Sequence, residues 1–580
     1  MIPPMTISIP GLIERRAAAV EANRNSKLRQ TRAHRILRDE FQVVWPNLTT
    51  TDGEPAVENI FLEAAEDKAA TAASILPVFD VPPRKGTRAD RAEREAALAR
   101  RVFVTLAQRS RLDAHHVAFY LDWFVHGVTA AMPWRDRDQS AGFPYVCRIE
   151  PRNLYPLRWG PRGELDEALV IRRRGLADLV REYGASNTGL LTLGARTQGR
   201  FVGLYEEIWW ADEDAWGIAV GYEPGVTNGD FNYRRPSQVG FSNVSMEWLV
   251  APHRHLLAGC PIVAQATVSA DGEIRGKLDA MLPGLKNAHQ LQTEANLNLL
   301  RNMHAPPLIQ NIENEEMWGP DAILKGVRGP DEARVVYPRP PVDYAAYAQV
   351  DRFLQSARGG GAFPQQRSGE PGASIVSNVG VAALQGSYNA QQAWAQTDMA
   401  RYYGELFARL ANFDEVYCGG TNKQIDGFDE GEAFSDHYDP AVFWRGDYRV
   451  NVSFHAIGVN AAQNVMNLGA AARLGMISMR TAMRRSGLVP NPVAEENDMA
   501  LERVTNSFYA LLDFRMQNGD DAPLRRYFEL LDSDKETARS AMTKVMAEQT
   551  ERAAAQPQNP MMAGAGMPPQ MTPALMSLVQ

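Results

Sequence analysis

The residues best able to bind a metal ion are two histidines and a cysteine near the middle of the chain. His253, His255 and Cys260 offer the imidazole and thiolate ligands that zinc prefers. No fourth ligand follows at a spacing typical of zinc sites, and the 3 cysteines of the chain form no Cys-x-x-Cys pair. We therefore expect no metal centre, and we expect Cys147, Cys260 and Cys418 to be reduced and mostly buried thiols.

The sequences that could bind a nucleotide or supply a nucleophile are also incomplete. Gly359–Gly361 lacks the lysine of a phosphate-binding loop and follows a predicted helix, so we interpret it as a hinge. Ser387 is not in the Gly-x-Ser-x-Gly turn of a hydrolase. His115 and His116 lie on an aromatic helix, where we expect one ring to be buried and hydrogen-bonded and the other to meet solvent. These patterns support neither an enzyme nor a cofactor.

Length and charge limit the remaining classes of protein. A chain of 580 residues is too long for a single hydrophobic core, so several structural regions are expected. The net charge of -8 is unlike that of proteins that hold DNA tightly through its phosphates. No apolar run is long enough to span a bilayer, and the first residues do not form a secretory signal, so we expect a soluble protein made in the cytoplasm, without a membrane partner.

The elements that must position any site are mainly helical. Residues 13–41 predict one helix rich in arginine, either a solvated face or a contact with DNA or a capsid. Alternating apolar residues predict a β-rich region over residues 144–248 and a half-buried strand over 448–454. The other predicted helices cover residues 58–77, 90–108, 115–127, 276–304, 343–357, 381–412 and 524–553. Phe119, Tyr120, Trp123 and Phe124 are expected to form core.

Residues 468–503 combine several helix-boundary signals. Gly475 can end a helix in the left-handed conformation, and Ser478 offers an N-cap oxygen to the next helix. Pro490 and Pro492 stop that helix before an acidic segment begins another. This combination indicates helix packing and carries no catalytic chemistry.

The order of these elements resembles that of portal proteins of tailed, siphophage-type bacteriophages. The resemblance runs along residues 59–503 and is most specific in residues 144–165, 285–307, 372–386 and 468–503. It implies an α+β, mainly helical fold with an α/β wing, a two-helix stem, a small α/β clip, a long spine helix and a helical C-terminal crown. It also implies a ring of subunits that conducts double-stranded DNA.

The resemblance assigns each part of the chain a place in that fold. The implied regions are a basic helical arm (1–57), the wing (58–275), the first stem helix (276–304), the clip (305–341), the second stem helix (342–358), a tunnel loop (359–379), the long helix (380–413), a return to the wing (414–511), the crown (512–555) and a disordered tail (556–580).

The same resemblance singles out three groups of residues. They are Lys286, Glu294, Arg301, Tyr344 and Asp351 in the stem; Asn311, Glu313, Glu315, Trp318, Lys325 and Arg328 in the clip, which would dock partners; and Phe363, Gln365, Gln366, Arg367 and Glu370 in the tunnel loop, which would face DNA. This loop has no lysine, so the residue that meets DNA stays open.

The implied partners are those of a capsid vertex. They are eleven further copies in a homododecamer, the major capsid and scaffolding proteins, the large terminase subunit, a head-tail adaptor, and DNA held weakly and without sequence preference. The expected location is the virion, after assembly in the host cytoplasm. Two alternatives stay open, namely another structural or assembly protein of a virion, or a hydrolase with an unrecognised site.

Overall fold

The computed structural model describes most of the chain in two compact units, residues 1–464 and 465–580. The described residues are 7–46, 57–84, 89–135, 142–197, 205–222, 245–267, 273–303, 308–310, 334–336, 344–363, 378–429, 432–454, 461–479, 482–483, 492–517, 522–532 and 544–548. Helices and strands are mixed, and helix predominates, as expected for an α+β fold.

The helices of the described residues are α1 (Ile9–Ala22), α2 (Arg24–Leu37), α3 (Phe41–Val44), α4 (Ile60–Ala73), α5 (Ala89–Arg109), α6 (Leu112–Leu121), α7 (Leu176–Tyr183), α8 (Thr188–Thr197), α9 (Leu282–Met303), α10 (Tyr344–Gly360), α11 (Asn378–Cys418), α12 (Pro440–Phe443), α13 (Ala461–Arg473), α14 (Pro492–Gln517) and α15 (Ala522–Asp532). A π-helical turn, Asp122–His126, continues α6, and a 3-10 turn, Asp279–Met281, precedes α9.

The strands are β1 (Val78–Asp80), β2 (Val128–Trp134), β3 (Tyr145–Ile149), β4 (Leu154–Trp159), β5 (Leu165–Arg174), β6 (Tyr205–Ala211), β7 (Ala215–Tyr222), β8 (Ser245–Arg254), β9 (Val263–Ala266), β10 (Leu308–Gln310), β11 (Arg334–Val336), β12 (Lys423–Asp429), β13 (Glu432–Tyr438) and β14 (Asn451–Ser453). Neighbours pair antiparallel in the orders β4-β5-β6-β7-β8, β3-β2-β9, β1-β14, β10-β11 and β12-β13.

The predicted β-rich region is confirmed as the five-stranded sheet, and both faces of that sheet are covered. Successive side chains of a strand point to opposite faces. Ile208 and Trp210 accordingly pack with Leu12 and Ala19 of α1 on one face. Trp209 packs on the other face with residues of the β3-β2-β9 sheet, α7 and α8. The helices α7 and α8 were not predicted from the sequence.

The predicted basic helix over residues 13–41 is wrong as one helix, because the chain bends at Asn23. Asn23 has φ -97° and ψ 5°, and it separates α1 from α2. Its side-chain amide donates hydrogen bonds to the carbonyl oxygens of Ala19 and Pro156, both at 2.9 Å. The bend lets α1 lie against the sheet, so α1 belongs to the core of the first unit.

The largest core is built from α4 to α6, α11 and the elements around them. Phe119, Tyr120, Trp123 and Phe124 are all fully buried in it, which confirms their predicted role. The predicted long helix is also confirmed, and α11 extends beyond both predicted ends to 41 residues. The predicted strand over 448–454 is shorter, since only Asn451–Ser453 pair with β1.

The second unit has its own small core. Phe508, Leu512, Tyr527 and Val545 form it. Gly475 ends α13 as predicted: it has φ 71°, and the Met476 N–H donates to the Ala471 carbonyl oxygen in the six-residue pattern of a Schellman cap. The helix predicted over 524–553 is found as α15, which begins at Ala522, and as a helical segment at 544–548; residues 533–543 lie outside the described chain.

Candidate functional site

The candidate site is a helical hairpin formed by α9 and α10. The chain leaves α9, passes through the antiparallel β10-β11 pair and returns along α10. The start of α9 lies against the end of α10, because a Cβ placed on Gly284 would come within 2.9 Å of the Ala357 backbone nitrogen. The two helices therefore run antiparallel, with their root in the main core and the β pair between their far ends.

The first of these helices is shorter than predicted. We expected it to span residues 276–304, but residues 279–281 form a 3-10 turn and α9 begins at Leu282. Pro283 then occupies the first turn of α9, where its missing N–H has no helical partner to lose. Pro283 and Gly284 thus lie in the first turn of the helix, although the predicted helix began earlier, at residue 276.

Two of the three glycines at the end of α10, Gly360 and Gly361, are packing positions rather than the hinge that the sequence predicted. A Cβ on Gly360 would lie 2.6 Å from the Ala280 carbonyl oxygen, and one on Gly361 would lie 2.4 Å from the Met281 sulfur. Such distances exclude any side chain larger than hydrogen unless neighbouring atoms shift. Glycine at these positions lets the end of α10 contact the turn that precedes α9.

The predicted stem residues lie on this hairpin at separate levels. Lys286, Glu294 and Asp351 are exposed, so all three side chains are open to solvent in the single chain. Arg301 lies in the last turn of α9 and Tyr344 begins α10, and their side chains fall outside the described part of the structure. The structure places these five residues on one hairpin and does not gather them into one site.

All but one of the predicted clip and tunnel-loop residues lie outside the described part of the chain. Asn311, Glu313, Glu315, Trp318, Lys325, Arg328, Gln365, Gln366, Arg367 and Glu370 lie outside the described residues. Phe363 is described, and its side chain is only 1% exposed within the main core. A side chain packed in this way is a core residue and does not face a channel.

The arginines of α1 and α2 are paired with acids of the same chain. Arg15 lies 2.8 Å from Glu167, and Arg16 lies 2.6 Å from Glu206, both on the five-stranded sheet. Arg29 forms an ion pair with Glu273. The sequence predicted either a solvated face or a contact with DNA or a capsid, and acids of the first unit offset part of the repulsion between these like charges.

The histidines proposed from the sequence occupy structural positions. His116 is buried and hydrogen-bonded to the Tyr403 hydroxyl at 2.7 Å and the Ile75 carbonyl oxygen at 2.9 Å, and His115 is partly exposed, as predicted. Burial lowers the pKa of His116. His255 Nε2 lies 2.9 Å from the Asp212 carbonyl oxygen. Within the described residues, no three His, Cys, Asp or Glu side chains are grouped as metal ligands would be.

An aromatic cleft of about 250 Å³ lies beside the five-stranded sheet, and it was not predicted from the sequence. Trp134 stacks on Trp209, with ring centroids 5.1 Å apart, and meets Trp216 edge-on at 5.9 Å. Tyr417 and Phe413 of α11 close its side. The sequence signal for the cleft was the pair of adjacent tryptophans on β6, because adjacent side chains of a strand point to opposite faces of the sheet.

Comparison with known proteins adds no family. No protein-family model matches this chain, and none of the curated proteins is significantly similar to it. Among the helices of the described residues, none has both the length and the apolar character needed to cross a bilayer.

Proposed function

We propose that this chain is the portal protein of a tailed bacteriophage. In this role it forms a ring at one capsid vertex, its channel passes double-stranded DNA during packaging and ejection, and its outer end docks the terminase and then the head-tail adaptor. The observation that carries the proposal is the order of α9, the β10-β11 pair, α10 and the 41-residue α11. This matches the order of stem, clip, stem and spine on which the resemblance rests.

The exposed apolar residues of the hairpin support a ring. Leu285 and Ala288 are fully buried near the root of α9, whereas Leu297 and Leu299 are 43% and 38% exposed further along. Burial of apolar surface against a neighbouring subunit stabilises an assembly by roughly 25 cal/mol per Å². A ring closed by head-to-tail contacts would cover such residues in every subunit.

The overall charge supports a channel that does not bind DNA strongly. The 61 lysines and arginines are outnumbered by 69 acids, which gives the net charge of -8, and Arg15 and Arg16 of α1 are already paired with acids. Weak phosphate binding suits a surface along which DNA slides, because each phosphate that a protein neutralises increases affinity. The proposed role requires no catalytic group and no cofactor.

The direct test is the mass and shape of the purified protein. Light scattering and negative-stain images of the wild-type chain are expected to show dodecameric rings around an open channel. Leu297→Glu is expected to dissociate the ring, because burying an unpaired carboxylate at a subunit contact is unfavourable. Circular dichroism should show unchanged helix content, since Leu297 is exposed in the single chain.

Asn298→Glu is the matched control. It adds the same charge at the neighbouring exposed position of α9 and removes no apolar surface. Its ring should persist. A wild-type protein that is monomeric, or that forms a small closed oligomer without a channel, would contradict the portal proposal and favour another structural protein of the virion or an enzyme.

A further inference from the structure

A cavity of about 620 Å³ lies beside the root of the hairpin, and five of its twelve lining residues are basic. It is bounded by α2, Trp45 at the end of α3, the turn before α9 and the first turns of α9. Its charged lining residues are Arg29, Arg32, Arg275, Lys277, Lys286 and Asp279. The volume lies within the usual range of small-ligand sites. Such a concentration of positive charge contrasts with the net charge of -8 of the whole chain.

The segment that carries two of these cations is held rigidly. A Cβ on Gly276 would lie 2.1 Å from the Val125 carbonyl oxygen, and one on Gly127 would lie 2.3 Å from the Arg275 carbonyl carbon. The Thr267 hydroxyl donates to the Arg275 carbonyl oxygen at 2.6 Å. Because the backbone packs too closely here to admit a Cβ, the segment has little freedom, and the backbone that carries Arg275 and Lys277 is positioned before any ligand arrives.

Two polar atoms of residues that line the cavity have no hydrogen-bond partner in the described part of the chain. Arg29 is held on one side by its ion pair with Glu273, yet its Nη1 atom is buried without a hydrogen-bond partner among the described residues. Asp279 Oδ1 is in the same position. Burial raises the pKa of Asp279 to about 6, and the charges of Arg29, Arg275 and Arg32 act in the opposite direction. Unpaired buried polar atoms are costly, and a ligand or water can satisfy them.

We propose that this cavity binds a multivalent phosphate compound, either a free polyphosphate or successive phosphates of a nucleic acid. Five of the six charged residues that line the cavity are cations; Arg29 is paired with Glu273, and Lys277 Nζ lies 3.5 Å from the centroid of the Trp394 ring. Guanidinium groups donate paired hydrogen bonds to phosphate oxygens. The start of α9 adds the positive end of a helix dipole. This inference stands apart from the portal proposal, because it requires neither a ring nor a channel.

The test is calorimetric titration of the full-length protein with inorganic tripolyphosphate and, separately, with a short DNA duplex. Arg32→Gln combined with Lys286→Gln is expected to weaken binding by at least about tenfold, since each substitution removes a charged hydrogen-bond donor. Both residues are exposed, so the variant should fold. Asp279→Asn is expected to strengthen binding, a direction that misfolding would not produce.

Arg38→Gln combined with Arg352→Gln is the matched control. It removes the same charge from exposed positions at the C-cap of α2 and on α10, both outside the cavity, and binding should stay within about twofold of wild type. Tripolyphosphate that displaces the duplex identifies a site for phosphate groups in general, whereas binding of the duplex alone identifies nucleic acid as the source. Absence of binding by both probes, or equal weakening in the two double variants, would overturn the proposal.

Discussion

At the scale of single residues, His289 stands out among the described side chains of the hairpin because it is buried without a polar partner there. It is fully buried on α9, its ring lies 4.6 Å from Phe41 and 5.7 Å from Trp45 between centroids, and neither ring nitrogen has a hydrogen-bond partner among the described residues. Burial lowers its pKa to about 4. The folded protein therefore holds this ring neutral under conditions in which the unfolded chain would protonate it.

The burial of His289 predicts that acid lowers the stability of the protein, and that replacement of His289 by leucine removes this effect. The usual pKa of histidine is about 6.5, so the unfolded chain binds a proton first as pH falls, and stability is lost between about pH 6.5 and 4. Between pH 7 and pH 4.5, His289→Leu is expected to lose roughly 2 kcal/mol less free energy of unfolding than wild type. Urea unfolding across this range measures the difference.

His437→Gln is the control for that measurement. His437 is exposed on β13, so its replacement removes a histidine without altering the core. Its stability profile should follow that of wild type. Parallel pH profiles of His289→Leu and wild type would show that His289 is not held neutral in the folded protein.

The sequence predicted the burial of individual side chains where the local pattern of residues determines it. The aromatic residues of α6 and the following turn repeat at helical spacing, which identified them as core. Phe363 and His289 were not identified, because their burial depends on α3, α9 and α11 meeting from distant parts of the chain. One sequence gives no direct measure of such contacts.

At the scale of elements, the root of the hairpin depends on glycine at defined positions. Gly360→Ala is expected to destabilise the protein by about 1 to 3 kcal/mol, because its Cβ would lie 2.6 Å from the Ala280 carbonyl oxygen and the backbone would have to move. Gly359→Ala is expected to be neutral, or stabilising by up to about 1 kcal/mol, since a Cβ there meets no atom within 4 Å and alanine favours helix.

This neighbouring pair separates packing from helix propensity. Both substitutions exchange the same residue types within the last turn of α10. Thermal unfolding followed by circular dichroism gives the two midpoints. Equal shifts in both variants would mean that Gly360 is not in close contact with the turn before α9, and would restore the hinge interpretation.

Element types were easier to predict than element boundaries. The long helix over residues 381–412 was predicted with the correct type, and the alternation of apolar residues predicted the strands of the sheet. The break at Asn23 and the 3-10 turn before α9 were missed, because each depends on side-chain or backbone contacts with β4, α6 or α10. The short helices α7 and α8 lay between strong strand signals and gave too little periodicity of their own.

At the scale of the whole molecule, α1 is an integral part of the first unit. Leu12 and Ala19 are fully buried against Ile208 and Trp210, and the Trp210 ring lies 5.4 Å from the Arg15 guanidinium. The resemblance implied a basic helical arm over residues 1–57; the arginine content of this segment is obvious from the sequence and its narrow apolar face is not. The acids that pair with it are more than a hundred residues away in the chain.

We therefore expect that deletion of residues 1–38 exposes one face of the five-stranded sheet. The shortened protein is expected to bind a hydrophobic dye, to aggregate and to show tryptophan emission shifted to longer wavelength, because Trp210 and the apolar residues around it lose their cover. Leu12→Asp should produce the same changes in milder form by placing a charge in this contact.

Deletion of residues 556–580, whose composition predicts disorder, is the control and should leave dye binding unchanged. A stable, dye-free protein without residues 1–38 would instead identify α1 and α2 as a detachable arm.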